Sequence, residues 1–412
     1  MKTVEGWDKK ALRDLATINY GKSPIEILVP DGPYPVVGTG GTERLGNDYL
    51  YEGDSIILGR KGTIDRVHFA TGRFWTIDTA YYLSDFAESV PHWLFYFLQT
   101  IDLRQMNEAT GVPSLSRDAL YKIEVPTPPK PEQTKIVEIL STVDRAIEET
   151  EALIAKQQRI KTGLMQDLLT RGIDEHGNLR SEQTHRFKDS PLGRIPVEWG
   201  ATPLKDSVHI KHGYAFAGEF FSDQWNENVL LTPGNFHVKG GLYFNKSNTK
   251  YYIGSVPEEF VLSNGDVLVV MTDLTKEMAI LGRTVVLHHP DRVLHNQRIG
   301  KVEVNRGMEM DLEFLALLMN SDFHRDSVKV TATGTTVRHT SPEKLLSPLI
   351  PTFGLNEQIR IRTRVAAIEE DIRSVNEKLA KTLRLKTALM QDLLTGKKRV
   401  TPLLTEVQEV GT

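Results

Sequence analysis

The apolar positions of this chain follow two periods. In one stretch they fall at Ile136, Leu140, Val143, Ile147 and Ile154, with Thr150 filling the gap; in another at Ile361, Val365, Ile368, Ile372, Val375 and Leu379, closed by Thr382. Steps of four and three place these residues on one helix face, as an a/d seam. Toward each end the register shifts, to Ile160, Leu164, Leu168 and to Leu385, Leu389, Leu393. Prolines precede both stretches (Pro126, Pro128, Pro129, Pro131; Pro348, Pro351), and Gly172 and Gly396 follow them as stop signals. The pattern predicts two helices of about 39 residues, far beyond the mean globular helix of about 11–12, and so a coiled coil rather than two ordinary core helices. Elsewhere the period shortens. Ser55–Leu58, Val67–Ala70, Val267–Met271 and Thr284–Leu287 read as strands, and Trp93–Leu98 and Leu312–Met319 as short helices. Glycine turns at 38–41 and 240–241 break them.

The two long helices are copies. Leu164-Met-Gln-Asp-Leu-Leu-Thr170 recurs letter for letter as Leu389-Met-Gln-Asp-Leu-Leu-Thr395, and at that offset of 225 residues 16 of the 39 positions from 132 to 170 are identical, among them Glu132-Gln133 with Glu357-Gln358. A weaker repeat lies ahead of the helices. Trp7, Leu12, Asp14, Ile18 and Gly21 match Trp199, Leu204, Asp206, Ile210 and Gly213 at an offset of 192, which drifts to 223 where Ala109-Thr-Gly111 matches Ala332-Thr-Gly334. The expected organisation is α+β: a mixed α/β domain (1–131), a long helix (132–171), a polar linker (172–198), a second mixed domain (199–355), a second long helix (356–396) and a tail (397–412). Parallel pairing of the helices requires the second domain, about 40 Å across, to carry the chain back about 58 Å. Antiparallel pairing requires no such reach and is expected. The repeat also predicts that the tail packs on the first domain, because that domain otherwise lacks the flank that 171–190 gives the second.

Composition narrows the chemistry. With 412 residues, 40% hydrophobic and 25% charged, the chain has the makeup of two to four folded domains. No apolar stretch approaches the ~20 residues of a membrane span, and Met1 to Asp8 shows no secretory h-region, so a cytoplasmic protein is expected. The absence of cysteine excludes a thiol nucleophile and Cys-ligated zinc or iron–sulfur centres. The run Gly38 to Gly46 fits neither phosphate-loop pattern, and His209 and His212 lack the carboxylate of a zinc helix. No G-x-S-x-G, no Asn/Asp-Pro-Pro-aromatic tetrapeptide and no Glu-x-Lys is present. These absences favour a binding protein over an enzyme.

Taken together, four features resemble the specificity (S) subunits of type I restriction–modification enzymes over nearly the whole chain. They are the duplicated domain-plus-helix layout, the helix entries Pro129-Lys-Pro-Glu-Gln and Gly354-Leu-Asn-Glu-Gln, the helix ends from Lys161 and Lys386, and the opening Phe187-Lys-Asp-Ser-Pro-Leu-Gly-Arg-Ile-Pro-Val-Glu-Trp. The resemblance implies two target recognition domains, each reading half of a split asymmetric DNA site. It implies that the antiparallel helices fix the spacer and dock two methyltransferase (M) subunits, and through them restriction (R) subunits. S-adenosylmethionine, ATP and magnesium would belong to those partners, with no cofactor, metal or catalytic residue in this chain.

Charge argues the other way. Residues 1–131 hold 14 Lys/Arg against 17 Asp/Glu, and residues 173–355 hold 19 against 22. Phosphate neutralisation supplies most non-specific affinity, so weak DNA binding by the isolated chain is expected. The candidate DNA contacts are Lys22, Arg60, Lys61, Arg66 and Arg117 in the first domain, and Lys211, Lys239, Arg283, Arg298, Arg338 and His339 in the second. The glycine-flanked runs at Arg60-Lys61-Gly62 and Thr333 to His339 are favoured, since glycine permits close backbone approach. Trp75, Tyr81 and Tyr214 are read as core. The repeated Leu164, Met165, Leu168, Leu389, Met390 and Leu393 are the candidate partner-docking residues. The competing reading is a coiled-coil scaffold that joins proteins without touching DNA; a third is an enzyme with dispersed catalytic residues.

Overall fold

A computed structural model describes residues 4–275 and 277–404, and the chain divides into two compact units. Unit 1 holds residues 1–154 and 375–412, and unit 2 the contiguous segment 155–374. The division cuts through both long helices, so each unit is a mixed domain with the beginning of one helix and the end of the other.

In unit 1, β1 (Asp8–Ala11) is followed by β2 (Thr17–Tyr20), β3 (Tyr34–Gly38), β4 (Gly41–Gly46), β5 (Tyr51–Glu52), β6 (Ser55–Gly59), β7 (Val67–Ala70), β8 (Arg73–Thr76) and β9 (Ala80–Ser84). Helices α1 (Pro91–Gln99) and α2 (Arg117–Tyr121), β10 (Glu124–Thr127) and the long α3 (Lys130–Thr170) complete the first half. One antiparallel sheet has the order β2-β9-β6-β7; a second, β4-β3-β8-β5, contains the parallel pair β3–β8. β6 is covered on both faces and therefore reads as a continuous apolar run rather than an alternating one. Its Ile56 and Leu58 meet Trp93, Leu94 and Phe97 of α1, while Ile57 faces Val37 and Phe74 of the second sheet.

Unit 2 repeats the core of this plan and adds strands to it. After a hairpin, β11 (Phe187–Ser190) and β12 (Gly193–Pro196), come β13 (Gly200–Pro203), β14 (Val208–His212), β15 (Phe221–Ser222), β16 (Asn228–Leu231), β17 (Lys250–Tyr252) and β18 (Val261–Leu262). Then follow β19 (Val267–Val270), β20 (Thr272–Asp273), β21 (Thr284–Val286), β22 (Arg292–His295), β23 (Ile299–Val304), α4 (Leu312–Met319), α5 (Asp322–Val330), β24 (Arg338–His339), α6 (Pro342–Leu346), β25 (Leu349–Thr352) and α7 (Leu355–Leu394). The order β14-β23-β19-β21 matches the first sheet of unit 1; the second sheet, β15-β17-β16-β22-β18, adds the edge strand β15 to the four-strand order of its counterpart and keeps a parallel pair, β16–β22. The ladders β1–β10 and β13–β25 also correspond. The segment expected to be a plain linker instead contains the β11–β12 hairpin and a buried arginine, Arg180.

The helices run antiparallel within each unit, as expected. In unit 1, Ile136 and Leu140 of α3 share a core with Leu389, Met390, Leu393 and Leu394 of α7, and Lys386 pairs with Asp144 at 2.6 Å. In unit 2 the roles exchange: Leu164, Met165 and Leu168 of α3 meet Ile361 and Val365 of α7, and Lys161 pairs with Glu369.

The repeated Glu-Gln at the helix entries is structural. Gln133 Oε1 accepts the Val90 N–H that opens α1, and Gln358 Oε1 accepts the Asp311 N–H that opens α4. Glu132 accepts from the Trp7 indole and from Arg399 Nε, at 3.4 and 3.0 Å. Glu357 accepts from the Trp199 indole and Arg180 Nη2, at 3.2 and 3.1 Å. Arg399 lies in the tail, whose Val400 is buried in the unit 1 core. The tail therefore packs on the first domain through Arg399 and Val400; 405–412 lie outside the described residues.

Candidate nucleic-acid interface

Four segments converge at one end of the antiparallel sheet of unit 1, tied by backbone hydrogen bonds. Lys22 N–H donates to the Thr76 carbonyl, Arg60 and Lys61 N–H both donate to the Thr79 carbonyl, Gly62 N–H donates to Pro113 and Leu115 N–H to Arg60, all within 2.9–3.0 Å. Glycine is required where the first two segments meet: a Cβ on Gly21 would lie 2.0 Å from the Ile77 carbonyl oxygen. The result is a rigid platform bearing Lys22, Arg60, Lys61 and, from the Ser116-capped start of α2, Arg117. Arg66 is exposed farther along the same β6–β7 loop.

Unit 2 builds the same platform from the same bonds. Tyr214 N–H donates to His295 as Lys22 does to Thr76, Met271 N–H to Arg298 as Arg60 does to Thr79, and Thr340 N–H to Met271 as Leu115 does to Arg60. A Cβ on Gly213 would lie 2.3 Å from the Asn296 carbonyl, as Gly21 meets Ile77. These equivalences show that the cations are placed differently. Lys22, Arg60, Lys61 and Arg117 correspond to Tyr214, Met271, Thr272 and Pro342, whereas Arg298, Arg338 and His339 correspond to Thr79, Pro113 and Ser114. Arg66 and Arg283 occupy the same position, entering the edge strands β7 and β21.

The structure brings some second-domain candidates together and sets others aside. Arg298, Arg338 and His339 lie on the platform; His339 Nδ1 is 3.1 Å from the Thr272 hydroxyl. Lys211 lies beside it on β14, over the Phe260 ring. Arg283 is drawn inward by the longer loop 271–283, where burial pushes its guanidinium below its usual range and Nη2 donates to the Val238 carbonyl at 2.7 Å. Lys239 is exposed on the turn beyond Val238, away from the platform bonds. Tyr81 is buried, as expected, but Tyr214, read as core, is 39% exposed on the platform. Sequence reading also passed over Tyr20, 46% exposed at the end of β2. An aromatic directly before the required Gly21 is the signal that could have found it.

The proposed docking residues fall mainly into the cores. Leu168 is 0% and Leu393 6% exposed, so neither has surface to offer a partner, a correction to their assignment. Leu164, Met165, Leu389 and Met390 are half-buried against the same cores. Ile160 and Leu385, which are equivalent in the repeat, stand about half exposed on the helices. Among the described residues no cluster of His, Asp or Glu is arranged to hold a metal ion, and no helix is long and apolar enough to cross a membrane.

Comparison with known proteins agrees with this architecture. Residues 4–157 match the family described as the type I restriction modification DNA specificity domain. The type I restriction enzyme MjaVIII specificity subunit of Methanocaldococcus jannaschii is 27% identical over 75% of this chain and 70% of its own length. The putative MjaX specificity subunit of the same organism is 23% identical over 75% of this chain and 68% of its own. The crystal structure of the type I S subunit from M. genitalium superposes with a TM-score of 0.60 at 14% identity, covering 95% of this chain and 97% of that one. A chain from a type I restriction–modification system, solved to explain its complex assembly and conformational transition, gives 0.56 at 16% identity over 96% and 99%. The fold is thus the one shared with solved type I S subunits, and residues 4–157 carry the match to the type I restriction modification DNA specificity domain.

Proposed function

We propose that each platform reads one half of a bipartite, asymmetric DNA site. The observation that carries this reading is the same four-segment platform built twice with cations at different positions, so that two duplex segments of different sequence are met by two rigid surfaces of different chemistry. Base reading needs only a few placed donors, Arg or Lys toward guanine and Asn or Gln toward adenine, which suits domains that are acidic overall. The chain then acts as a non-catalytic subunit. Two methyltransferase subunits bind the helices at the half-buried Leu164, Met165, Leu389 and Met390 and the exposed Ile160 and Leu385, and restriction subunits join through them. S-adenosylmethionine, ATP and magnesium belong to these partners. The repeated helix ends support two copies of one partner, because equivalent residues are offered twice.

The test is a base-resolution methylation map of cells carrying this chain with its methyltransferase, against cells lacking only this chain. Loss of a single gapped, two-part motif is the expected result. An unchanged map with an active methyltransferase overturns the reading in favour of a scaffold.

A further inference from the structure

We infer that Tyr20 sets the base preference of the first platform, by holding Arg60 and Arg117 as a pair of guanine-reading guanidiniums; this rests on the reading that the platform meets DNA. Arg60 Cζ lies 5.1 Å and Arg117 Cζ 5.0 Å from the centre of the Tyr20 ring. Tyr20 is in turn set against the buried Tyr81, ring centres 5.2 Å apart, so its ring is anchored from below.

The manner of holding is what matters. Most arginines steadied in this chain are steadied by carboxylates, as Arg73 is by Glu52 and Arg194 by Glu182. Such pairing neutralises the guanidinium and occupies its fork. Among the described residues neither Arg60 nor Arg117 has a carboxylate partner. Arg60 donates one N–H to the Asp78 carbonyl at 3.1 Å, and Arg117 has its Nε buried against the platform without a hydrogen-bond partner, which leaves only its terminal nitrogens to face a ligand. A guanidinium held by a ring face keeps its charge and its remaining donors. Two of them, fixed on one exposed ring at the mouth of a rigid platform, match the paired O6 and N7 acceptors of guanine in the major groove.

The second platform has no equivalent arginine pair, although Lys211 lies over the Phe260 ring beside it. The positions of Tyr20, Arg60 and Arg117 are there His212, Met271 and Pro342. Its Arg338 folds back to the Gly334 carbonyl of its own hairpin. The guanine preference set by this arginine pair therefore belongs to the half-site of the first domain.

The test uses the full chain with its methyltransferase subunits in cells, with methylation mapped for the wild type, Tyr20→Leu, Tyr20→Phe, Arg60→Ala and Arg117→Ala. Arg60→Ala and Arg117→Ala are expected to relax selection at G·C positions in one half of the motif only, by about tenfold or more. Tyr20→Leu should relax the same positions with the thermal unfolding of the chain unmoved, and Tyr20→Phe, which keeps the ring, should restore them. Relaxation at A·T positions overturns the inference. So does a loss of methylation that is uniform across sequences, the signature of phosphate contacts, and so does full selectivity in Tyr20→Leu. A wild type that directs no bipartite motif overturns the functional reading itself and this inference with it.

Discussion

Glu132 and Glu357 show how much one residue can organise. Each is nearly inaccessible, and each collects an indole N–H and an arginine from elsewhere in its unit. Burial pushes Arg180 down, but the hydrogen bond and charge of Glu357 outweigh it and hold the guanidinium above its ordinary range. Removing one partner leaves the other charge buried and unpaired, so Glu357→Ala should destabilise unit 2 by about 3–5 kcal/mol, read by chemical denaturation. Glu132→Ala should cost less, because the Arg399 side chain is 28% exposed and can be rehydrated. The Glu-Gln repeat was plain in the sequence, yet this role was not. Arg180 and Arg399 sit at different distances beyond their helices, so no single offset aligns them. His295 offers a second measurement. It is buried, with Nε2 2.9 Å from the Ile299 carbonyl, and desolvation, aided by Lys301 and Lys211, lowers its pKa to about 4. The unfolded chain protonates near 6.5, so the stability it supports is intact above that pH and declines as pH falls from about 6.5 toward 4. His295→Gln should flatten that part of the pH–stability profile of unit 2.

At the scale of elements, the repeated helix ends divide between holding the fold and facing outward. Leu168→Ala and Leu393→Ala remove side chains from closed cores and should each cost about 2–5 kcal/mol. Ile160→Ser and Leu385→Ser act on exposed positions and should leave thermal unfolding nearly unchanged; on the proposal that methyltransferase subunits dock there, they should also weaken capture of those subunits, and unaltered capture removes these two residues from the proposed surface. The helices were legible because only an amphipathic helix sustains steps of four and three over five or six turns, as from Ile136 to Ile154 and from Ile361 to Thr382, and the letter-for-letter repeat settled their kinship. Which of their apolar residues point inward was not legible, since the register shifts after Ile154 and the seam alone does not say which domain covers it. The strand correspondence was only glimpsed. Insertions such as the longer loop 271–283 change the offset between copies, and hydrogen-bond equivalence is needed to recover it.

For the whole molecule, the sequence showed a domain-and-helix unit used twice and a tail that should complete the first copy. It could not show that each compact unit takes half of each long helix, because that depends on contacts between residues far apart in the chain, such as Lys386 with Asp144 and Leu168 with Ile361. The tail supplies Arg399 to Glu132 and the Glu5 carbonyl, and Val400 to the core. A chain ending at Thr395 should therefore lower the melting temperature of unit 1 by several degrees while unit 2 melts as before, followed by calorimetry or by proteolysis of each unit. The same arrangement fixes an order of events on the ribosome. Unit 2 is one uninterrupted stretch and can close once α7 is half made. Unit 1, although its first residues are made earliest, waits for Leu389, Leu393 and Val400 to emerge. At ordinary synthesis rates that delay is on the order of tens of seconds. Over that interval the earliest-made domain has an unfinished core, and it is the newborn protein's main point of exposure to chaperones and proteases.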